Sequence, residues 1–127
     1  MIKLPTIEQL VMFAGATWEF ARIHYDAEHA RREGLPGPIL QGPLQGNYLA
    51  QLVMDWTGGA GELRRLRWRH HLAALVNQRL IVGGKVLALR KGEARGEVEC
   101  DLWVDNADGQ RITTGRALVV LPYRQVG

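Results

Sequence analysis

The stretch Gly42 to Trp56, GPLQGNYLAQLVMDW, decides the fold. Leu44, Tyr48, Leu49, Leu52, Val53 and Trp56 recur at the spacing of one helical face, while Gln45, Asn47, Gln51 and Asp55 mostly lie away from it. A stripe that broad belongs in a core, so a buried helix is predicted. Gly42 serves as its N-cap and Pro43 as its first residue, since proline lacks the amide hydrogen that would go unpaired there. Gly58 and Gly59 end it. Beyond it the period changes, and from Glu62 to Pro122 the chain alternates like strands. The predicted class is α+β, one apolar helix followed by an antiparallel sheet that wraps it.

Working outward toward the C-terminus, Leu63 to Leu72 reads as a strand and Gln78 to Arg90 as a second, in which Gly83-Gly84 marks a bulge. Lys91-Gly92-Glu93 turns the chain into Glu97 to Asp105, where Val98, Cys100, Leu102 and Val104 share a face. Asn106 to Gly109 is a turn into the last strand, Gln110 to Pro122. These connections are short enough for antiparallel neighbours, a meander.

Toward the N-terminus, Thr6 to Gln9 has the form of a capping box, with Thr6 capping and Gln9 reaching back. A short helix follows, ended by Gly15, and Ala16 to His24 is left extended or irregular. Asp26 caps a second short helix that Gly34 closes. The prolines and glycine of Leu35 to Gln41 make a fixed, non-helical lead into the central helix.

The 127 residues suffice for a single domain, 1–127, with one core. The first residues carry no apolar signal segment and no stretch reaches membrane-spanning length, so a cytoplasmic protein without a membrane partner is expected. The single cysteine, Cys100, excludes an internal disulfide. A formal charge of +3 and the run Arg64, Arg65, Arg67, Arg69 raise the question of nucleic acid. In a strand, however, Arg65, Arg67 and Arg69 occupy one face and Leu66, Trp68 and His70 the other, as a half-buried sheet requires. With no nucleic-acid module beside them, no nucleic-acid partner is expected, and the same arginines suit a phosphate-bearing small ligand. His70 and His71 point to opposite faces and make no metal site.

Chemistry is expected in Thr17 to Asp26, TWEFARIHYD. Histidine exchanges a proton near neutral pH, and a nearby carboxylate shares that work or fixes the tautomer. Glu19 and His24 are the candidate pair. The competing reading is that Glu19, Arg22 and Asp26 are solvated loop charges and that Asp26 only caps a helix.

The ordered pieces TIEQLVMFAGATWEFARIHYD, ARREGLPGPILQGPL and ALVVLP resemble the MaoC-like (R)-specific enoyl-CoA hydratase and 3-hydroxyacyl dehydratase family, whose members have the hotdog fold. In that resemblance the family's histidine falls on His24, the aspartate after it on Asp26, and its first aspartate on Glu19. The glycine of its His-Gly pair falls on Gly42 and the histidine on Gln41. The resemblance implies reversible hydration of a 2-enoyl-CoA thioester in fatty acid metabolism, without metal or redox cofactor. His24 and Glu19 would exchange the protons. Gly42, with Gln41, Pro43 and Leu44 around it, would hold the developing oxyanion at the helix start; Asp26 and Arg22 would stand behind the site. Arg64, Arg65, Arg67 and Arg69 are candidates for the CoA phosphates.

This sequence departs from the family pattern at Glu19, one methylene longer, at Ala21 and Arg22, where asparagine and proline are usual, and at Gln41. It is similar to the mesaconyl-CoA hydratase-like branch and to single-hotdog subunits of heteromers. A homodimer, a higher homo-oligomer or a heteromer with another hotdog chain is therefore expected. A non-catalytic or half-site subunit, an acyl-CoA thioesterase and an acyl-CoA binding module remain as alternatives.

Overall fold

In the computed structural model of the chain, which describes residues 1–124, helix α3 (Gly42–Trp56) lies against an antiparallel sheet of five strands. The strands are β1 (Ile2–Lys3), β2 (Glu62–His70), β3 (Leu80–Lys91), β4 (Arg95–Asp105) and β5 (Arg111–Pro122), ordered β1-β3-β4-β5-β2. Helix α1 (Ile7–Thr17), a 3₁₀ turn at Arg22–His24 and helix α2 (Ala27–Arg32) precede α3. Among the described residues, no helix is long and apolar enough to cross a membrane.

The core forms where two periodicities meet. Leu44, Tyr48, Leu49 and Val53 of α3 face Val98, Cys100, Leu102 and Val104 of β4 and Ile112, Ala117 and Val119 of β5, all buried. Leu49 is fully enclosed, and burying a leucine to that degree stabilises the fold by about 1.5–3 kcal/mol. Cys100 is a core residue, and burial pushes its thiol pKa up.

Three details of α3 differ from expectation. Gln41 is the N-cap and Gly42 the first helical residue. Trp56 is half exposed, at the mouth of a cleft it lines with Leu52 and with Gly84, Lys85 and Val86 of β3. Gln45, a residue expected to lie away from the apolar stripe, is 2% exposed. It is tolerated there because its Oε1 accepts the Thr113 hydroxyl at 2.6 Å, which meets the requirement that a buried amide find a partner.

The helix caps are mostly as predicted. Thr6 accepts the Gln9 N–H and Asp26 accepts the His29 N–H. Gln9 does not reach back; its Oε1 accepts from the Tyr48 hydroxyl at 2.8 Å, tying α1 to α3. Helix α1 runs through Gly15 to Thr17, and Trp18 takes the left-handed position at φ 58°.

The sheet is a meander only from β3 to β5. Strand β2 pairs with β5, not with β3. The segment between β2 and β3 crosses the start of α3 instead of turning back, held by Leu40 N–H to Ala74 C=O and Val76 N–H to Pro38 C=O. The predicted bulge at Gly83-Gly84 is absent, and the irregularity falls between Val86 and Ala88. Those glycines mark close approach: a Cβ on Gly83 would lie 2.6 Å from the Trp103 indole, and one on Gly84 2.7 Å from Leu102. Strand β1 was not foreseen, since two residues carry no period.

Candidate functional site

At the amide end of α3 a pocket of about 370 Å³ is lined by His24, Leu40, Gly42, Gln45, His70 and Ala74, among others. Three segments distant in sequence build it: the 3₁₀ turn, the start of α3, and the end of β2 with the crossing that follows it.

His24 comes from the first. Its Nδ1 lies 2.7 Å from the Ile39 carbonyl oxygen. A carbonyl only accepts, so in the neutral ring Nδ1 carries the proton and Nε2 keeps its lone pair. Among the described residues Nε2 has no hydrogen-bond partner. The loop is held by Asp26, which caps α2 and pairs with Arg22 at 2.7 Å. The His29 amide, and then Arg22, keep the Asp26 carboxyl below its usual range, and Asp26 in turn raises the Arg22 pKa. Both side chains are occupied with one another, which is a supporting role.

The start of α3 supplies one backbone donor. The Leu44 and Gln45 amides already donate to the Gln41 carbonyl, and Pro43 has no N–H. Among the described residues the Gly42 N–H is the donor that remains at the helix's positive end. Of the neighbours expected to join it, Leu44 is buried in the core and Pro43 is exposed, neither lining the pocket. The Gln41 side chain also points elsewhere: 1% exposed, it donates to the Leu10 carbonyl at 2.8 Å and joins α1 to α3.

Glu19 is not brought into the lining. It is exposed, and one carboxylate oxygen accepts the Ala21 N–H at 3.3 Å. The second oxygen is uncommitted among the described residues. The arginines of β2 also lie outside the pocket and are divided. Arg64 pairs with Glu62 beside Arg90, Lys91 and Arg95, whereas Arg67 and Arg69 lie with Arg116 and Asp101.

The third segment contributes residues that the sequence did not single out for chemistry. His70 Nδ1 is 3.0 Å from Thr113 Oγ1, and its Nε2 is 3.1 Å from the Trp68 indole nitrogen. Thr113 in turn donates to Gln45. Desolvation, and then His71, hold the His70 pKa below the usual histidine value. His71 turns to the other face, to Thr114 at 2.8 Å. The signal available in the sequence was Trp68 and His70 at strand spacing on the face that looks at α3, which read simply as packing.

The arrangement thus offers a free imidazole lone pair, one amide donor at a helix start and a partly desolvated wall. The model of the family described as hydroxyacyl-thioester dehydratase type 2 matches residues 3–77. No curated protein matches the sequence. Among solved structures, the chain is similar to the (R)-hydratase from A. caviae involved in PHA biosynthesis, with 21% identity, 96% of this chain and 92% of that one covered, and a TM-score of 0.89. The MaoC-like dehydratase from Rhodospirillum rubrum gives 19% identity over 99% and 90% at a TM-score of 0.85. The ChsH1-ChsH2 complex from Mycobacterium tuberculosis gives 17% over 95% and 91%, also at 0.85. The fold is the hotdog fold that the sequence resemblance implied.

Proposed function

The chain belongs to the hydroxyacyl-thioester dehydratase type 2 family, and from that premise we propose that it catalyses the reversible hydration of a 2-enoyl-CoA thioester to a 3-hydroxyacyl-CoA. The observation that carries this reading is the shared pocket of His24 and Gly42, in which the Ile39 carbonyl leaves the His24 Nε2 free to accept a proton.

In the hydration direction, His24 Nε2 takes a proton from the water that attacks the β-carbon. Electron density moves to the thioester oxygen, which the Gly42 N–H and the positive end of α3 stabilise. The proton held on His24 Nε2 is then delivered to the α-carbon, which regenerates the neutral ring, and the dehydration runs the same steps backwards. Glu19 is the proposed carboxylate partner of His24. Its second oxygen is free to share the water, although this requires the side chain to turn inward from the Ala21 amide.

The reading extends to assembly. Strand β2 is an edge of the sheet, with β5 on one side and nothing on the other among the described residues. Such an edge is a template for pairing. A second hotdog chain there places Arg64, Arg65, Arg67 and Arg69 near the neighbour's substrate, where exposed arginines suit CoA phosphates. That neighbour is a second copy or a different chain; Glu19 standing outside the pocket supports a second reading, in which this chain is a half-site subunit that assists a partner's centre.

The test is purified chain mixed with crotonyl-CoA, following loss of the conjugated double bond. Hydration by the chain alone supports a complete site. Hydration only after a second hotdog subunit is added, with that subunit's histidine essential, assigns this chain the supporting half.

A further inference from the structure

We propose that His70 is a positioning residue of this site, a neutral imidazole that fixes where the thioester group lies against the Gly42 amide. The inference rests on the hydration reading and deepens it.

The hydrogen bonds around His70 run in one direction. An indole N–H only donates, so Nε2 of His70 must accept from Trp68. In the neutral ring the proton is then on Nδ1 and is donated to Thr113 Oγ1. The Thr113 hydroxyl has one proton, which goes to Gln45 Oε1. With Trp68 donating to Nε2, the neutral ring has its proton on Nδ1, and with Gln45 Oε1 as the final acceptor the three bonds run in this one direction. The far end of the chain is desolvated, Thr113 being 0% and Gln45 2% exposed. Within such an interior a broken link is costly.

This ring occupies the space beside the one free amide. A Cβ built on Gly42 would lie 2.8 Å from His70 Nε2. The imidazole therefore stands where a side chain at position 42 would be, and moving it aside breaks an exposed bond to Trp68 and a part-buried one to Thr113. A thioester oxygen that accepts from the Gly42 N–H is confined on that side by the ring. His24 has the same tautomer but a free Nε2, whereas both nitrogens of His70 are committed. His24 exchanges protons and His70 sets position.

The charge state of the ring matters for the same reason. A proton on Nε2 would face the Trp68 N–H donor to donor, and the positive charge would stand beside the positive end of α3. The groups around His70 are Trp68 from β2, Gln45 from α3, Thr113 from β5 and His24 across the pocket, with His71 next in the chain turned to Thr114. The named neighbours include no carboxylate to favour the cation.

The experiment follows the imidazole nitrogens by NMR in isotope-labelled protein while butyryl-CoA, a saturated thioester that cannot be hydrated, is added. In parallel, crotonyl-CoA hydration is measured for wild type, Thr113→Val, Thr113→Ser and Trp68→Phe. The expected result is a His70 proton on Nδ1 near neutral pH and His70 nitrogen signals that shift as butyryl-CoA binds. Thr113→Val should lose about tenfold or more in kcat with a small change in KM, the behaviour of a misplaced reacting group. Thr113→Ser, which keeps the hydroxyl, should recover it. Should Thr113→Val fail to fold, Trp68→Phe provides the same readout by removing the donor to Nε2. The inference is overturned if the chain hydrates crotonyl-CoA while the His70 nitrogens ignore butyryl-CoA and these variants keep wild-type kcat. If no enoyl thioester is hydrated, the hydration reading falls; a butyryl-CoA shift at His70 would still support positioning, and its absence would overturn that as well.

Discussion

The two walls of the pocket each present an imidazole, and the two are held differently. On the wall from the 3₁₀ turn, His24 spends one nitrogen on the Ile39 carbonyl and keeps the other free. On the wall from β2, His70 spends both, one on Thr113 and one on Trp68. The same side chain is therefore available for proton transfer on one side and fixed on the other. What distinguishes them is not histidine chemistry but how many partners the surrounding backbone and strands supply.

Replacing His24 with alanine should break the comparison most severely, lowering kcat for crotonyl-CoA hydration by about a hundredfold to ten-thousandfold, the range for loss of a general base. Circular dichroism and melting temperature should stay near wild type, because the ring is linked to the fold by a single bond. Gly42→Ala comes next. Its Cβ would collide with His70 Nε2 beside the amide donor, and a loss of about tenfold to a hundredfold in kcat is expected. Combining it with Thr113→Val, which frees the ring to retreat, should cost much less than the product of the two. Glu19→Gln should lower kcat by about tenfold if the carboxylate shares the water; a wild-type rate would leave Glu19 as a turn residue bonded to Ala21. Glu19→Asp, which restores the side chain usual in the resembling family, should be the more active of the two.

The fold's outline was legible because its signals are local. The Thr6 and Asp26 caps each need a partner three residues away, and the alternation of Val98 to Val104 needs none. His24 stood out as a histidine in a charged loop, whereas Gly42 before proline read as a helix cap and gained its place in the site through the family resemblance; the structure brings both to one pocket. The other wall was not. Thr113 is 43 residues from His70 and 68 from Gln45, so Gln45 looked like a surface glutamine and His70 like a strand filler. Pairing of β2 with β5 was hidden too, because the segment after β2 is held by residues near Pro38 and Leu40 rather than by turn chemistry of its own. At Trp18 a bulky residue takes the left-handed C-cap position that local preference gives to glycine, its N–H donating to the Ala14 carbonyl.

Acid should separate the walls further. His70 is held below the usual histidine pKa, so the unfolded chain binds its proton first as pH falls. Stability from His70 is thus full above the unfolded value of about 6.5 and is lost as pH falls below it, toward the lower folded value. Melting temperature followed between neutral pH and about pH 5 should fall in wild type and fall less in His70→Phe. The smallest effect is expected from Thr6→Ala, which touches neither wall. It should cost about 1 kcal/mol in denaturant unfolding through the lost cap and leave kcat unchanged.

Addition of water across the double bond of an enoyl thioester in this pocket is best checked by following crotonyl-CoA with two signals at once. One is the absorbance of the conjugated double bond, and the other is free thiol. For hydration, the first should fall to an equilibrium level that 3-hydroxybutyryl-CoA approaches from the other side, with no thiol released. Steady release of thiol, as a thioesterase would give, contradicts it.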